Sequence, residues 1–110
     1  KDNFIYRELG AIRVQGKKEA INVYELICQK EDENKSLNKL LIKFEEARQL
    51  YLNQKWDDAI EAFRKSSLLE DMSDIYRKNN PSLTYINICN EFKIKPPNKD
   101  WDGAYNFKSK

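Results

Sequence analysis

The 110-residue sequence contains no histidine and only three glycines. Without histidine the chain lacks the usual general base, the usual zinc ligand and every catalytic triad built on imidazole. Gly10, Gly16 and Gly103 are too scattered to form a glycine-rich phosphate loop or a dinucleotide-binding motif. These absences exclude most hydrolase sites and any nucleotide-binding fold that would begin in this chain.

Long apolar runs and a strong charge of one sign are also missing. The longest apolar runs fall far short of the ~20 residues that span a bilayer, and 20 basic side chains face 18 acidic ones. A net charge of +2 gives no strong field towards nucleic acid or an anionic membrane. We expect no nucleic-acid partner, no direct membrane contact and a cytoplasmic location.

Cysteine is scarce as well, with Cys28 and Cys89 far apart and no C-x-x-C motif. This usage indicates reduced thiols in a cytosolic protein, although a bridge between the two stays geometrically possible.

The length is that of one small domain, and its first part is predicted to be a β-hairpin. Residues 4–27 are dense in β-branched and aromatic residues on both sides of a turn at Gly16, and Gly10 marks a possible bulge. We assign residues 1–29 to this hairpin and residues 30–36, which lack apolar side chains, to a charged linker. Ser36 is the candidate N-cap of the following helix.

The second part is predicted to be helical. Apolar residues recur at helical spacing from Leu37 to Tyr51 and again from Trp56 to Ser67, so two antiparallel helices joined by a short turn are expected. We also expect a short helical turn at residues 73–78 and a third helix with Pro81 at its first position. These elements complete a helical module over residues 37–95. The fold class is α+β, mostly α: a hairpin, a helical hairpin, a third helix and an aromatic tail.

The tail, residues 96–110, begins with two prolines and carries three aromatic residues. A disordered segment is rarely so aromatic. We therefore expect Trp101, Tyr105 and Phe107 to dock on the helices, with Trp101 as the anchor and Asp102 and Gly103 forming a turn.

The run W-D-D-A-I-E-A-F, from Trp56 to Phe63, resembles the second helix of a tetratricopeptide repeat. Lys43, Ser66 and Asp71 depart from the motif, and a plain helical hairpin whose small and aromatic residues only pack against each other remains the alternative. The residues expected to form the core of the module are Phe44, Ala47, Leu50, Trp56, Ala59 and Phe63.

Both ends of the chain carry a second resemblance. The stretch Y-R-E-L-G-A-I-R-V-Q-G-K-K-E-A-I-N-V-Y-E-L, from Tyr6 to Leu26, resembles the closing hairpin of the catalytic domain of class III adenylate/guanylate cyclases. The stretch P-P-N-K-D-W-D-G-A-Y, from Pro96 to Tyr105, is similar to the terminal motif of bacterial membrane cyclases with a CHASE-type sensor. In those proteins a tetratricopeptide-like segment lies between the two motifs.

The resemblance implies a longer parent protein that converts ATP or GTP into a cyclic nucleotide with Mg²⁺ or Mn²⁺. The family's metal-binding and base-selecting residues precede this hairpin, so the chain holds none of them. The resemblance therefore implies that the chain by itself has no catalytic residue, no metal site, no cofactor and no cyclase activity. The family's phosphate-approaching lysine corresponds to Gln15 here, and Lys17 and Lys18 are the candidates to take its place. The alternative is that both lysines are solvated turn charges.

We interpret the chain as the non-catalytic C-terminal regulatory or structural module of such a cyclase, in a parent anchored in the inner membrane. A free-standing tetratricopeptide-like adaptor is the alternative. Expected partners are the rest of the cyclase chain and a second copy of this chain, because both edges of an isolated hairpin present unpaired backbone groups. The competing outcome is that the hairpin folds back on its own helices.

Overall fold

The computed structural model describes residues 4–14, 16–30, 35–72 and 80–107, without the side chains of residues 71, 72 and 107. The predicted α+β class is confirmed. The helical turn predicted at residues 73–78 and residues 31–34 of the predicted linker lie outside the described residues. The elements in chain order are β1 (Phe4–Val14), β2 (Ile21–Gln29), α1 (Lys35–Leu52), α2 (Trp56–Met72), α3 (Pro81–Ile94) and β3 (Ala104–Phe107).

Strands β1 and β2 form the antiparallel hairpin, and its glycines serve distinct purposes. Gly16 has a φ of 90° in the turn, a value that side chains rarely tolerate. Gly10 has a φ of 135° beside a register shift between β1 and β2. A Cβ atom at Gly10 would collide with the hydroxyl of Tyr85 on α3. Gly10 therefore permits both the bulge and the close approach of a helix to the strand.

The tail adds a third strand to this sheet. Strand β3 pairs in parallel with β1, from Ala11 opposite Ala104 to Val14 opposite Phe107, and the strand order is β2-β1-β3. The expectation that both hairpin edges are unpaired is therefore wrong for the edge formed by β1. Residues 104–107 are too few for their alternation to predict a strand, and the pairing depends on where the helices hold the tail.

Helices α1 and α3 differ in the residues at their N-terminal ends. Helix α1 already includes Ser36, so the prediction that Ser36 caps this helix is wrong. Helix α3 begins with Pro81 at its first turn, and the side chain of Asn80 accepts a hydrogen bond from the Leu83 amide at 3.2 Å. This cap satisfies one of the backbone donors that the first turn leaves without an intrahelical acceptor.

Two apolar clusters hold the elements together. The smaller joins the hairpin to α1 through Ile27, Leu37 and Leu40. The larger lies between the three helices, and its buried members are Phe44, Ala47, Tyr51, Ala59, Ile60, Phe63, Tyr85 and Cys89.

Candidate functional site

The β1–β2 turn, which the resemblance links to a substrate phosphate, lies on the surface. Lys17 and Lys18 are exposed, and the Lys17 amide donates to the Val14 carbonyl at 2.9 Å. Gln15 lies outside the described residues. Two lysines in a solvated turn do not by themselves form a site.

One arginine connects this turn to the tail. Nε of Arg13 donates to the Lys18 carbonyl at 3.0 Å, and Nη1 donates to Oδ1 of Asn106 at 3.1 Å. Nη2 forms an ion pair with the carboxylate of Asp102. The Ala104 amide donates to the same carboxylate at 3.0 Å. The hydrogen bond from Ala104 and the Arg13 guanidinium together hold the pKa of Asp102 below its usual value.

Trp101 is packed against the helical module. Its ring lies with its centroid 5.2 Å from that of Tyr51, 5.8 Å from that of Trp56 and 5.4 Å from that of Phe92. Its indole N–H donates to the Ala104 carbonyl at 2.8 Å, so the polar end of the ring is satisfied. Trp101 thus contacts aromatic residues of all three helices. The chain bends at Gly103, two residues later.

The other two aromatic residues of the tail lie in β3. The Tyr105 hydroxyl donates to Oε1 of Glu91 at 3.0 Å, and its ring lies 6.1 Å from that of Phe92. Burial, with a smaller effect of Glu91, raises the pKa of this hydroxyl. The backbone of Phe107 pairs with Val14, and its side chain lies outside the described residues.

The residues expected to form the module core differ in their exposure. Leu50 and Trp56 are only partly buried, and the rings of Phe44 and Phe63 meet edge to face at 5.6 Å. The fully buried members of the set are Phe44, Ala47, Ala59 and Phe63. Cys89 of α3 is buried beside them, and burial raises the pKa of its thiol to about 12.

Sequence reasoning missed an ion-pair network buried between the hairpin and the helices. Arg7 of β1 is 3% exposed, and its Nη2 lies 2.6 Å from Oε1 of Glu25 and 3.1 Å from Oε1 of Glu70 on α2. Its guanidinium carbon lies 4.6 Å from the centre of the Phe44 ring, within cation–π range. In the sequence Arg7 and Glu70 are two of many charges, and nothing local marks them as buried.

Glu70 extends this network to α3. Its Oε2 accepts from the Ser82 amide at 3.1 Å and from the Ser82 hydroxyl at 2.7 Å, and that hydroxyl lies 2.6 Å from Oγ of Ser66. A carboxylate with several donors is the arrangement in which a buried charge is tolerated. One side chain thereby joins β1, α2 and the start of α3.

Two further contacts attach the hairpin to the helices. Arg48 of α1 is 5% exposed, and its Nη1 lies 2.8 Å from Oε1 of Glu45 and 3.5 Å from Oε1 of Glu8 on β1. The Tyr85 hydroxyl donates to the Leu9 carbonyl at the bulge. Each of the three helices therefore contacts strand β1.

Three large exposed side chains share one face of the hairpin, which also carries Glu8 opposite Tyr24. We refer to Tyr6, Tyr24 and Leu26 as its outer face. These side chains are 50%, 57% and 55% exposed, and Tyr6 is paired with Leu26 across the strands. Large exposed apolar side chains gathered on one face are typical of an interaction surface.

The described residues offer no metal centre: within residues 4–14, 16–30, 35–72 and 80–107, no three histidine, cysteine, aspartate or glutamate side chains are grouped so as to hold an ion. Cys28 is half-buried, Cys89 is buried, and the two are not joined by a disulfide. No helix in the described part of the chain is long and apolar enough to cross a membrane.

Comparison with known proteins gives one relative to report. No family model matches the chain. No solved structure matches it. Over 89 residues, 80% of this chain, the sequence is 29% identical to the terminal-differentiation-specific adenylate cyclase of Dictyostelium discoideum, and the match spans 4% of that protein. The chain thus resembles one small region of an adenylate cyclase along most of its own length.

Proposed function

We propose that the chain is a non-catalytic C-terminal module of a class III nucleotidyl cyclase, and that its helices brace the hairpin that closes the catalytic sheet. The cyclase-like hairpin and tail motifs and the likeness to the Dictyostelium discoideum enzyme support the family. The observation that carries the bracing role is the buried ion pair between Arg7 of the hairpin and Glu70 of α2.

This contact suits a brace because it is both buried and directional. An arginine presents its donors in a rigid plane, so the two acceptors Glu25 and Glu70 fix its orientation. Arg48 and Tyr85 hold the next residues of the same strand, Glu8 and Leu9, from different helices. A displacement of β1 relative to the helices would break contacts with all three at once.

The outer face is the surface that we assign to the rest of the cyclase chain. A hairpin that contacts helices and still exposes large apolar side chains needs a second cover. In a parent cyclase the preceding part of the catalytic domain supplies that cover on Tyr6, Tyr24 and Leu26. The module then contacts the catalytic domain through the sheet and keeps its helices on the far side.

The chemistry belongs to the parent chain. It forms a cyclic nucleotide and pyrophosphate from ATP or GTP, using Mg²⁺ or Mn²⁺ held by residues that precede this hairpin. Lys17 and Lys18 lie in the turn that approaches the triphosphate in this arrangement, where a lysine acts as a point charge on phosphate. The module works on the cytoplasmic side of an inner membrane that anchors the parent.

Expression of the complete reading frame that encodes residues 1–110 tests this function. We expect the complete protein to form cyclic nucleotide from ATP or GTP with Mg²⁺ or Mn²⁺, and residues 1–110 alone to form none. In the complete protein Glu70→Ala should lower the activity, whereas Glu61→Ala, an exposed position of the same helix, should not. A complete protein without cyclase activity refutes the proposal and favours the adaptor alternative. Equal activity of the two variants refutes the bracing role.

A further inference from the structure

We propose that the Trp-Asp-Gly tail positions the β1–β2 turn through Arg13, so that Arg13 and Asp102 act as positioning residues for Lys17 and Lys18 towards a substrate phosphate. The inference rests on the proposed function, which assigns a substrate triphosphate to the neighbourhood of this turn. The bracing role assigns no function to the tail motif, and this inference assigns it one.

Arg13 reaches three acceptors that belong to different segments. The Lys18 carbonyl lies in the turn, the Asn106 amide oxygen lies in β3, and the Asp102 carboxylate lies in the tail before β3. A planar guanidinium with donors in fixed directions can satisfy the three together, which a lysine ammonium on a flexible stem cannot reproduce. The position of the Lys18 backbone therefore depends on the position of the tail.

The tail is itself fixed by the helices. Trp101 is packed against Tyr51, Trp56 and Phe92, and the neighbouring Asp102 carboxylate is oriented by the Ala104 amide at 3.0 Å. The pairing of β3 with β1 holds the same segment on its other side. A continuous set of contacts thus runs from the helical core through Trp101, Asp102 and Arg13 to the turn.

This attachment should lower the conformational entropy that the turn loses when substrate binds. An exposed loop that carries Lys17 and Lys18 would lose conformational freedom on contact with a phosphate, and that loss weakens binding. A turn already held by Arg13 has less freedom to lose. Release of the turn should therefore raise KM for the nucleoside triphosphate more than it lowers kcat.

Asp102→Asn is the test variant because it removes the charge that pairs with Arg13 while keeping the oxygen that accepts from Ala104. Asp57→Asn is the matched control. It removes an exposed carboxylate that pairs with Lys93 at 2.6 Å on the helices, away from the turn. Arg13→Lys tests the planar fork, since it keeps the positive charge and loses the geometry.

The first measurement is amide hydrogen exchange at Lys17 in the 110-residue chain, where the amide bonds to the Val14 carbonyl. Asp102→Asn and Arg13→Lys should speed this exchange roughly three- to tenfold, the range expected from losing one modest hydrogen-bonding interaction. Asp57→Asn should leave it unchanged. Equal exchange rates in all four proteins would overturn the inference.

The second measurement is KM and kcat of the complete protein. Asp102→Asn should raise KM for the nucleotide by a similar factor with a smaller change in kcat, and Asp57→Asn should change neither. Faster exchange with unchanged KM refutes the phosphate role. A wild-type complete protein without cyclase activity refutes the proposed function and that role with it, while the exchange rates still decide whether the tail holds the turn.

Discussion

Replacing Arg7 by methionine is expected to lower the free energy of unfolding by about 2–3 kcal/mol. Removing one member of a buried ion pair usually costs about 3–5 kcal/mol, because the other charge stays in the interior. The Arg7 and Glu70 side chains are each 2% exposed, so this range applies to them. The pair with Glu25, which is 27% exposed, adds at most about 1 kcal/mol.

Two features reduce this cost. Nη1 of Arg7 is buried and has no hydrogen-bond partner among the described residues. Removing such a donor relieves roughly 1–3 kcal/mol. Methionine also keeps a polarisable side chain against the Phe44 ring, which replaces part of the cation–π contact. The expected loss is therefore smaller than for a fully satisfied buried pair.

Urea unfolding followed by circular dichroism measures this loss as a shift of the midpoint at constant slope. Lys43→Met is the control. Among the described residues the ion pair of Lys43 is an exposed one, with Glu46 at 3.7 Å, so this change should alter stability by less than about 0.5 kcal/mol. A second step sharpens the test. Glu70→Gln should destabilise the wild-type chain more than the Arg7→Met chain, because only in the wild type does it remove the interaction with the guanidinium.

The reasoning is refuted if Arg7→Met is no more costly than Lys43→Met. It is also refuted if Glu70→Gln destabilises both backgrounds equally, since additivity means that the two charges do not interact.

Three further outcomes are expected. Trp56→Ala should cost roughly 2–4 kcal/mol, less than a fully buried tryptophan, because its ring is only partly buried against its aromatic neighbours; a midpoint equal to wild type would contradict this packing. Because burial raises the pKa of Cys89 to about 12, a thiol reagent at pH 8 should modify Cys28 first and Cys89 only on unfolding; equal rates in the single Cys→Ser variants would refute this. The isolated chain should self-associate through residues 4–27, and Tyr24→Lys should abolish the dimer in sedimentation. Leu83→Lys, at a similarly exposed site on α3, should leave the dimer intact. A monomeric wild type would refute the prediction.

The hairpin and the helices could be predicted because their signals are local. Helix α1 shows its buried face in residues three or four apart, and the hairpin turn shows itself in Gly16 between two β-rich runs. The start of α1 could not be predicted, because Ser36 is of a residue type that caps helices but already lies within the helix.

The long-range contacts could not be predicted in this way. Arg7 and Glu70 are 63 positions apart, and Arg13 and Asn106 are 93 apart. In a chain whose residues are 35% charged, a solvated side chain is the default expectation for each of them. Only the packing of α2 against β1, and of the tail beside β1, gives these residues their partners.

The parallel pairing of β3 with β1 has a consequence for the order in which the chain folds. Loop-closure entropy makes a contact across 93 residues about 1.5 kcal/mol more costly to start than one across the 18 residues between Arg7 and Glu25. Strand β3 also has only four residues. We therefore expect the hairpin and the helical core to form before β3 is added, as contact-order behaviour favours. The β1–β2 turn would then acquire its final position in the last step of folding, so an ordered turn would indicate that the entire chain has folded.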